Sequence, residues 1–175
     1  MNAQQGHKAL TVERLKFLYE YSPKTGLFKR LKRTSCRAGI GVIDCGSTTL
    51  AGYRSIGIDG KSYYAHRLAW LYTYEVWPTY MIDHINGEKI DNRIINLRDV
   101  PRAVNVQNVK KAQKNNKQTG FLGVVNDLAV NKKNPFSAKI KVNSKSRHLG
   151  YFPTPELAHE AYLKAKRELH EGCTI

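Results

Sequence analysis

The stretch that decides the fold begins with Asp83-His84-Ile85-Asn86-Gly87 and continues through Asp91-Asn92-Arg93, Asn96-Leu97-Arg98 and Asn105-x-x-Asn108. Residues 81–85 predict a short strand, and Asn86-Gly87 is a turn signal. Residues 96–100 predict a second strand. Pro101 suits the first turn of a helix that we expect to run to about residue 111. The predicted order is therefore strand, loop, strand, helix.

This stretch supplies a carboxylate from Asp83, an adjacent imidazole from His84 and an oxygen ligand from Asn105, which the helix brings back. Phosphodiester cleavage needs such a set, because a hard cation on oxygen ligands neutralises phosphate charge and a neutral histidine accepts a proton from water. Asn105 is alternatively a solvated helix residue, with Asn108 as the ligand. Adjacent strand residues point to opposite faces, so Asp83 and His84 share a site only where the strand ends or twists. Taken without Asn96 and Asn105, the pair followed by Asn86-Gly87 is more typical of a simple polar turn.

The sequence also predicts the secondary-structure elements that precede this stretch. Residues 11–21 predict a helix capped by Thr11, and residues 27–31 predict a strand. Residues 53–64 predict a hairpin around Asp59-Gly60, followed by a helix over residues 66–75. His66, near the start of that helix, is expected to be a packed or hydrogen-bonded histidine rather than a second base. Arg67 is either a phosphate contact or a surface ion pair.

Composition excludes several classes of protein. The chain has 175 residues, 41% of them hydrophobic, which suffices for one domain or two small ones. No apolar run approaches the roughly 18–20 residues that cross a bilayer, and the first residues are polar, so membrane insertion and secretion are not expected. The three cysteines, Cys36, Cys45 and Cys173, have no zinc-ligand spacing. We expect reduced thiols, no zinc and a cytoplasmic location.

The charge distribution predicts a polyanionic partner. Lys and Arg number 29 against 14 Asp and Glu, which gives a formal net charge of +15. Residues 24–37 carry six basic and no acidic side chains, and residues 109–150 carry ten basic side chains against the single acid Asp127. Residues 81–108, between them, are neutral overall. Two basic segments around an acid-containing centre are typical of a phosphate binder with a carboxylate-bound cation.

The central stretch resembles the HNH endonuclease family, in its phage and homing branch. His84, Asn96 and Asn105 fit the three signature positions, with separations of 12 and 9 residues. The last position is often His in the family, and Asn105 replaces it here. The upstream stretch from Gly52-Tyr53-Arg54 to His66-Arg67-Leu68-Ala69-Trp70 is also similar, so the resemblance covers roughly residues 11–110.

This resemblance implies a ββα-metal fold with a specific division of roles. Asp83 and Asn105 would ligate Mg²⁺ or Mn²⁺, His84 would be the general base, and Asn96 would brace the loop between the strands. Arg30 and Arg33, in the first basic segment, and Arg67 are the DNA-contact candidates of this part of the chain.

The second half predicts strands over residues 121–125, 136–142 and 146–152, then a helix from Thr154 to about residue 170. These segments are similar to the APETALA2-type DNA-binding domain, in which a three-stranded antiparallel sheet packs on one helix and enters the major groove. Alternation along residues 136–142 places apolar side chains on one face and cations on the other. The DNA-contact candidates here are Lys139, Lys141, Lys145 and Arg147. An ordinary half-polar sheet is the alternative.

The sequence thus predicts an α+β protein: a ββα-metal HNH nuclease module over residues 1–109, a basic linker over 110–119, and an APETALA2-like domain over 120–175. Its predicted function is metal-dependent hydrolysis of double-stranded DNA. Cleavage of both strands would require either a homodimer or two successive cuts by one active site. A phage-encoded protein in a bacterial cytoplasm is expected. The alternative is a non-catalytic DNA-binding regulator with a decayed nuclease module.

Overall fold

The computed structural model describes residues 10–33, 39–110, 112, 116, 119–130 and 132–174. The chain divides into two compact units, residues 1–100 and 101–175. Both combine short strands with helices, and the described residues form four small sheets and four α-helices. The predicted mixed helix-and-strand class is therefore confirmed.

The described residues of the first unit form two helices, seven strands and one 3-10 turn. In chain order they are α1 (Val12–Leu18), β1 (Tyr19–Ser22), β2 (Leu27–Arg30), β3 (Ser47–Thr48), β4 (Arg54–Ile58), β5 (Lys61–Tyr64), α2 (Ala65–Tyr74), β6 (Met81–His84), the 3-10 turn (Ile94–Asn96) and β7 (Leu97–Val100). Three antiparallel sheets result, with strand orders β1-β2, β3-β4-β5 and β6-β7.

Helix α1 begins where predicted but ends earlier. The Thr11 hydroxyl accepts a hydrogen bond from the Arg14 amide, which caps the helix. The predicted end at residue 21 is wrong, because the chain becomes β1 at Tyr19. Tyr19 and Tyr21 are buried at two-residue spacing, and Tyr21 pairs with Phe28 of β2. Their packing on the core therefore overrides the helical spacing of the sequence.

The hairpin β4–β5 and helix α2 form as predicted. Asp59 and Gly60 take φ of 48° and 77°, the conformation of a tight two-residue hairpin turn. Helix α2 buries Leu68, Ala69 and Leu71 against a core that also includes Leu15, Ile56 and Ile82. This core supports the β6–β7 hairpin, where the polar stretch of the sequence lies.

The second unit contains α3 (Arg102–Gln107), β8 (Val124–Asn126), β9 (Phe136–Val142), β10 (Lys145–Phe152) and α4 (Pro155–Leu169). Strand β9 lies between β8 and β10, both antiparallel to it. Helix α4 begins after Thr154, whose hydroxyl accepts from the Leu157 amide, and it packs on the sheet. The predicted three-stranded antiparallel sheet with one helix on it is thus present. Helix α3 ends at Gln107, short of the predicted end near residue 111.

Gly123 shows how closely α4 approaches the start of β8. It has a φ of +77°, and a Cβ there would lie 2.0 Å from Cδ2 of the Tyr162 ring. Only glycine fits this position without moving the ring.

The domain boundaries predicted from the sequence stay predictions. Most of the predicted linker over 110–119, and residues 34–38 with Cys36, lie outside the described residues. Cys45 and Cys173 are free thiols. No helix within the described part of the chain combines the length and apolar character needed to span a membrane.

Candidate active site

Asp83 lies inside the β6–β7 hairpin, directly opposite Arg98. Its side chain is only 7% exposed, and its Oδ2 accepts from Arg98 Nε at 2.8 Å and from Nη2 at 2.7 Å. A buried carboxylate is costly unless it is paired, and Arg98 provides that compensation. The carboxylate is therefore fixed in orientation by the hairpin that carries it.

His84 is the last residue of β6 and is 4% exposed. Its Nε2 lies 3.2 Å from Oδ1 of Asn92, a residue that is itself 3% exposed. Burial lowers the pKa of His84 below its ordinary value, which outweighs the opposing effects of the Asn92 hydrogen bond and the Asp83 carboxylate. The imidazole is thus neutral at physiological pH, as a general base must be before it accepts a proton.

The rings of Tyr53 and His66 lie against the imidazole of His84, and the Tyr64 ring packs on both of them. The His66 ring meets the His84 ring edge to face at 5.1 Å, and it stacks on Tyr64 at 5.3 Å. The Tyr53 ring lies 5.9 Å from that of His84. Burial, aided by His84 and Arg67, lowers the pKa of His66 to about 3. The contact between the two histidines was not predicted, since no local pattern links residues 18 positions apart.

Asn96 ties together the loop between the strands. Its Oδ1 accepts from the Asn86 amide at 2.9 Å, and its Nδ2 donates to the Asp91 carbonyl at 2.8 Å. Its own carbonyl accepts from the Ile85 amide at 2.9 Å. Asn96, at the end of the loop, is therefore hydrogen-bonded to the start and to the middle of the loop.

A second clamp on the loop is the pair of Asp91 and Arg93. Arg93 donates from Nε at 2.8 Å and from Nη2 at 2.6 Å, one bond to each carboxylate oxygen of Asp91. These bonds lower the pKa of Asp91 to about 2. The two residues flank Asn92 and hold its backbone in place.

Asp83 supplies one carboxylate of the kind that hard divalent cations bind. No group of three or more His, Cys, Asp and Glu side chains in the described residues is arranged to hold a metal. A carboxylate and amide oxygens are the ligands that Mg²⁺ takes, and Mg²⁺ commonly keeps several waters and only one or two carboxylates. Asp83 therefore suits a magnesium-type ion that keeps most of its ligands as water.

Asn105 and Asn108 belong to the second unit. Asn105 lies in α3 and is half-buried, whereas Asn108 follows the helix and is buried. The Asn108 side chain accepts a hydrogen bond from the Thr174 hydroxyl. Their predicted alternative roles as metal ligands stay predictions.

The DNA-contact candidates of the sheet divide between its two faces. Lys139 and Lys141 pair with His148 and Ser146, so these side chains share the face opposite α4. Arg147 pairs with Ile140, and Lys145 with Val142, which places both on the side of the core. Lys141, Lys145 and Arg147 are exposed. Lys139 donates to Asp127 at 3.0 Å, so its charge is partly offset.

The remaining predicted DNA contacts lie in the first unit. Arg30 ends β2 and donates to the Gly39 carbonyl at 3.2 Å. Arg33 is exposed. The Arg67 guanidinium lies 5.7 Å from the centre of the Trp77 ring and donates to the Tyr80 carbonyl at 3.5 Å.

Residues 63–107 match a family model for HNH endonucleases. The matched segment runs from β5 through α2 and the β6–β7 hairpin to the end of α3, and so includes Asp83, His84, Asn92, Asn96 and Asn105. The match supports an HNH nuclease domain and suggests a nuclease that acts on DNA. No curated protein and no solved structure matches the chain. The APETALA2-type identity of the C-terminal region receives no support from the comparisons.

Proposed function

We propose that the protein is a metal-dependent endonuclease that hydrolyses phosphodiester bonds of double-stranded DNA, with His84 as the general base and Asp83 as a metal ligand. The observation that carries the proposal is a buried imidazole, with a pKa lowered by burial, in the residue that follows a buried carboxylate paired with Arg98. Both residues lie within the segment that matches HNH endonucleases.

The chemistry assigned to His84 follows from its environment. A water molecule attacks phosphorus, and its proton passes to an imidazole nitrogen as the new P–O bond forms and the bond to the leaving oxygen breaks. Burial keeps the imidazole unprotonated and therefore able to accept that proton. Contacts with His66 and Asn92 restrict the ring to one orientation.

Asp83 is assigned to the metal because its carboxylate is held rigidly. Arg98 donates both bonds to Oδ2, which holds that oxygen in place. A bound Mg²⁺ or Mn²⁺ would supply stabilisation of the negative charge that develops on the phosphate. Asn105 stays the second ligand predicted from the resemblance, with Asn108 as its alternative.

The cations outside this site are assigned to DNA binding. Lys139, Lys141, Lys145 and Arg147 lie on one hairpin, and three of them are exposed. Exposed cations that neutralise phosphates release counterions, which gives affinity without base specificity. Arg30, Arg33 and Arg67 are proposed as further phosphate contacts.

The test is a plasmid cleavage assay with Mg²⁺ or with a chelator, on the wild type and on His84→Ala. We expect metal-dependent nicked or linear product from the wild type and a loss of about 10²- to 10⁴-fold in His84→Ala. The matched control is His148→Ala, because His148 is exposed and lies in the second unit. That variant should cleave like the wild type at saturating protein.

Two outcomes would contradict the proposal. Cleavage by His84→Ala at the normal rate would remove His84 from the base role. DNA binding without cleavage, with Mg²⁺ and Mn²⁺ and on DNA selected by the protein itself, would favour the non-catalytic regulator.

A further inference from the structure

The side chain of Asn92 hydrogen-bonds to the ring of His84, and its chemistry determines the direction of that bond. The Oδ1 atom of an asparagine only accepts hydrogen bonds, so Nε2 of His84 must donate across the 3.2 Å between them. A neutral imidazole carries one hydrogen. When Nε2 holds it, Nδ1 is the nitrogen with the lone pair that can accept a proton.

Asn92 is well placed to impose this choice because it is buried and held from both sides. It is 3% exposed, and the clamp between Asp91 and Arg93 fixes its neighbours. Its own carbonyl accepts from the Tyr21 hydroxyl at 2.7 Å, a buried bond between residues 71 positions apart. The side chain therefore has little freedom to swing away from His84.

The hairpin β1–β2 provides this support from outside the matched segment. The Pro23 carbonyl accepts from the Ile94 amide at 3.3 Å. At Gly26, where φ is +75°, a Cβ would lie 2.5 Å from the Arg93 amide nitrogen and 2.6 Å from the Asn92 carbonyl carbon. Because glycine has no side chain, the turn of the hairpin packs in close contact with the backbone of residues 92–93.

We propose that Asn92 is a positioning residue that holds His84 in the tautomer protonated on Nε2, and that the hairpin β1–β2 holds Asn92 in place. Asn92 acts through His84 and need not contact the DNA or the metal. The tautomer assignment rests on the geometry of the loop alone, whereas its effect on cleavage rests on the proposed function.

The experiment is nitrogen-15 NMR of the His84 side chain in the full-length protein, at a pH above 7.5 where the ring is neutral. Coupling patterns to the ring carbon-bound hydrogens distinguish the two tautomers. We expect wild-type His84 to be protonated on Nε2 only. Asn92→Ala and Asn92→Leu should give a mixture of tautomers, whereas Asn92→Asp keeps an acceptor and should retain the wild-type tautomer.

The matched control is Asn86→Ala, in the same loop. The Asn86 side chain bonds Asp91 and the Glu88 amide, so its loss disturbs the loop without removing the acceptor for His84. This variant should keep the wild-type tautomer. If Asn92→Ala fails to fold, Asn92→Leu preserves the side-chain volume and gives the same readout.

The kinetic consequence is a fall in kcat of about 10-fold in Asn92→Ala, smaller than that in His84→Ala, with KM unchanged and with rescue in Asn92→Asp. His84 protonated on Nδ1 in the wild type, or an undisturbed tautomer in both Asn92→Ala and Asn92→Leu, would overturn the proposal. A tautomer that responds as expected in a protein without cleavage activity would support the positioning role and overturn the nuclease function.

Discussion

The β6–β7 hairpin and the β8–β10 sheet both carry charged and polar residues, but they differ in where those residues lie. In the hairpin, Asp83, His84, Asn92 and Asn96 are all buried and have hydrogen-bond partners. In the sheet, Lys141, Lys145 and Arg147 are exposed. Burial shifts the pKa values of side chains and fixes their positions, and a catalytic site needs both effects. Exposed cations instead attract phosphate groups over a distance, and salt weakens that attraction.

This difference separates two kinds of mutational effect. Substitutions in the hairpin should change the rate of cleavage or the stability of the first unit and leave DNA affinity nearly constant. Substitutions of the exposed cations in the sheet should lower DNA affinity and leave the rate of cleavage at saturating protein nearly constant.

The largest effect is expected for Asp83→Asn. The amide keeps the shape of the side chain and an acceptor for Arg98 but lacks the negative charge that binds a cation. Cleavage should fall by at least about 100-fold, an effect of the size that removal of an essential catalytic group produces. Thermal melting supplies an activity-independent readout, since Mg²⁺ should raise the Tm of the wild type but not that of Asp83→Asn. Equal Mg²⁺ stabilisation of both proteins would remove Asp83 from the metal site.

The second prediction concerns the pH dependence of stability. His66 has a pKa of about 3 in the folded chain, below the ordinary value of 6.5, so the unfolded chain binds more protons between these values. The stability of the folded state is therefore unaffected by protonation of His66 above pH 6.5. It falls as the pH drops from 6.5 toward 3, because the unfolded chain then binds a proton that the buried ring does not. At pH 5 the folded state should have lost about 2 kcal/mol relative to pH 7.

His66→Phe tests this because phenylalanine keeps a buried ring but does not titrate. Urea unfolding followed by tryptophan fluorescence reports on the first unit, because both tryptophans, Trp70 and Trp77, lie there. The variant should lose less stability than the wild type between pH 7 and pH 5. The same pH dependence in both proteins would contradict the burial of a neutral His66.

The third prediction addresses the sheet. If Lys141 and Arg147 each neutralise a phosphate, Lys141→Ala/Arg147→Ala should reduce the slope of log affinity against log salt by about 2. The control is Lys61→Ala/Lys164→Ala, which removes the same charge from exposed positions in β5 and α4. An equal change of slope in both double variants would indicate that net charge alone governs binding.

The smallest effect is expected for Asn96→Ala. It removes both side-chain hydrogen bonds of Asn96 and leaves the Asn86 amide without its acceptor. The first unit should lose about 1–3 kcal/mol in urea unfolding. Ile95→Ala, at a neighbouring position that is 82% exposed, should have little effect. Similar losses in both variants would mean that the bonds of Asn96 do not stabilise the loop.

Local signals account for what the sequence predicted well. Asp59-Gly60 predicted the β4–β5 hairpin, and Thr154-Pro155 predicted the start of α4, because turn and cap preferences act within a few residues. Tyr19 and Tyr21 were misassigned because the spacing of the apolar residues before them continues a helical pattern. Their strand is set by pairing with β2, which the sequence of residues 11–21 does not contain.

The candidate site was predicted only in part, because some of its contacts are local in the sequence and others are not. Asp83, His84 and Asn96 stand in a recognisable spacing, so their candidacy was readable from the sequence. Asn92 and His66 were not identified as neighbours of His84, because those contacts depend on the path of the loop and on the packing of α2. The hydrogen bond from the Tyr21 hydroxyl to the Asn92 carbonyl joins residues 71 positions apart, so no local sequence pattern predicts it.

The most direct test of the division between hairpin and sheet measures two quantities on two variants. DNA affinity by titration and single-turnover cleavage at saturating protein would be determined for His84→Ala and for Lys141→Ala/Arg147→Ala. We expect His84→Ala to bind like the wild type without cleaving, and the double variant to bind more weakly but cleave at the wild-type rate once saturated. Equal losses of binding and cleavage in both variants would contradict it.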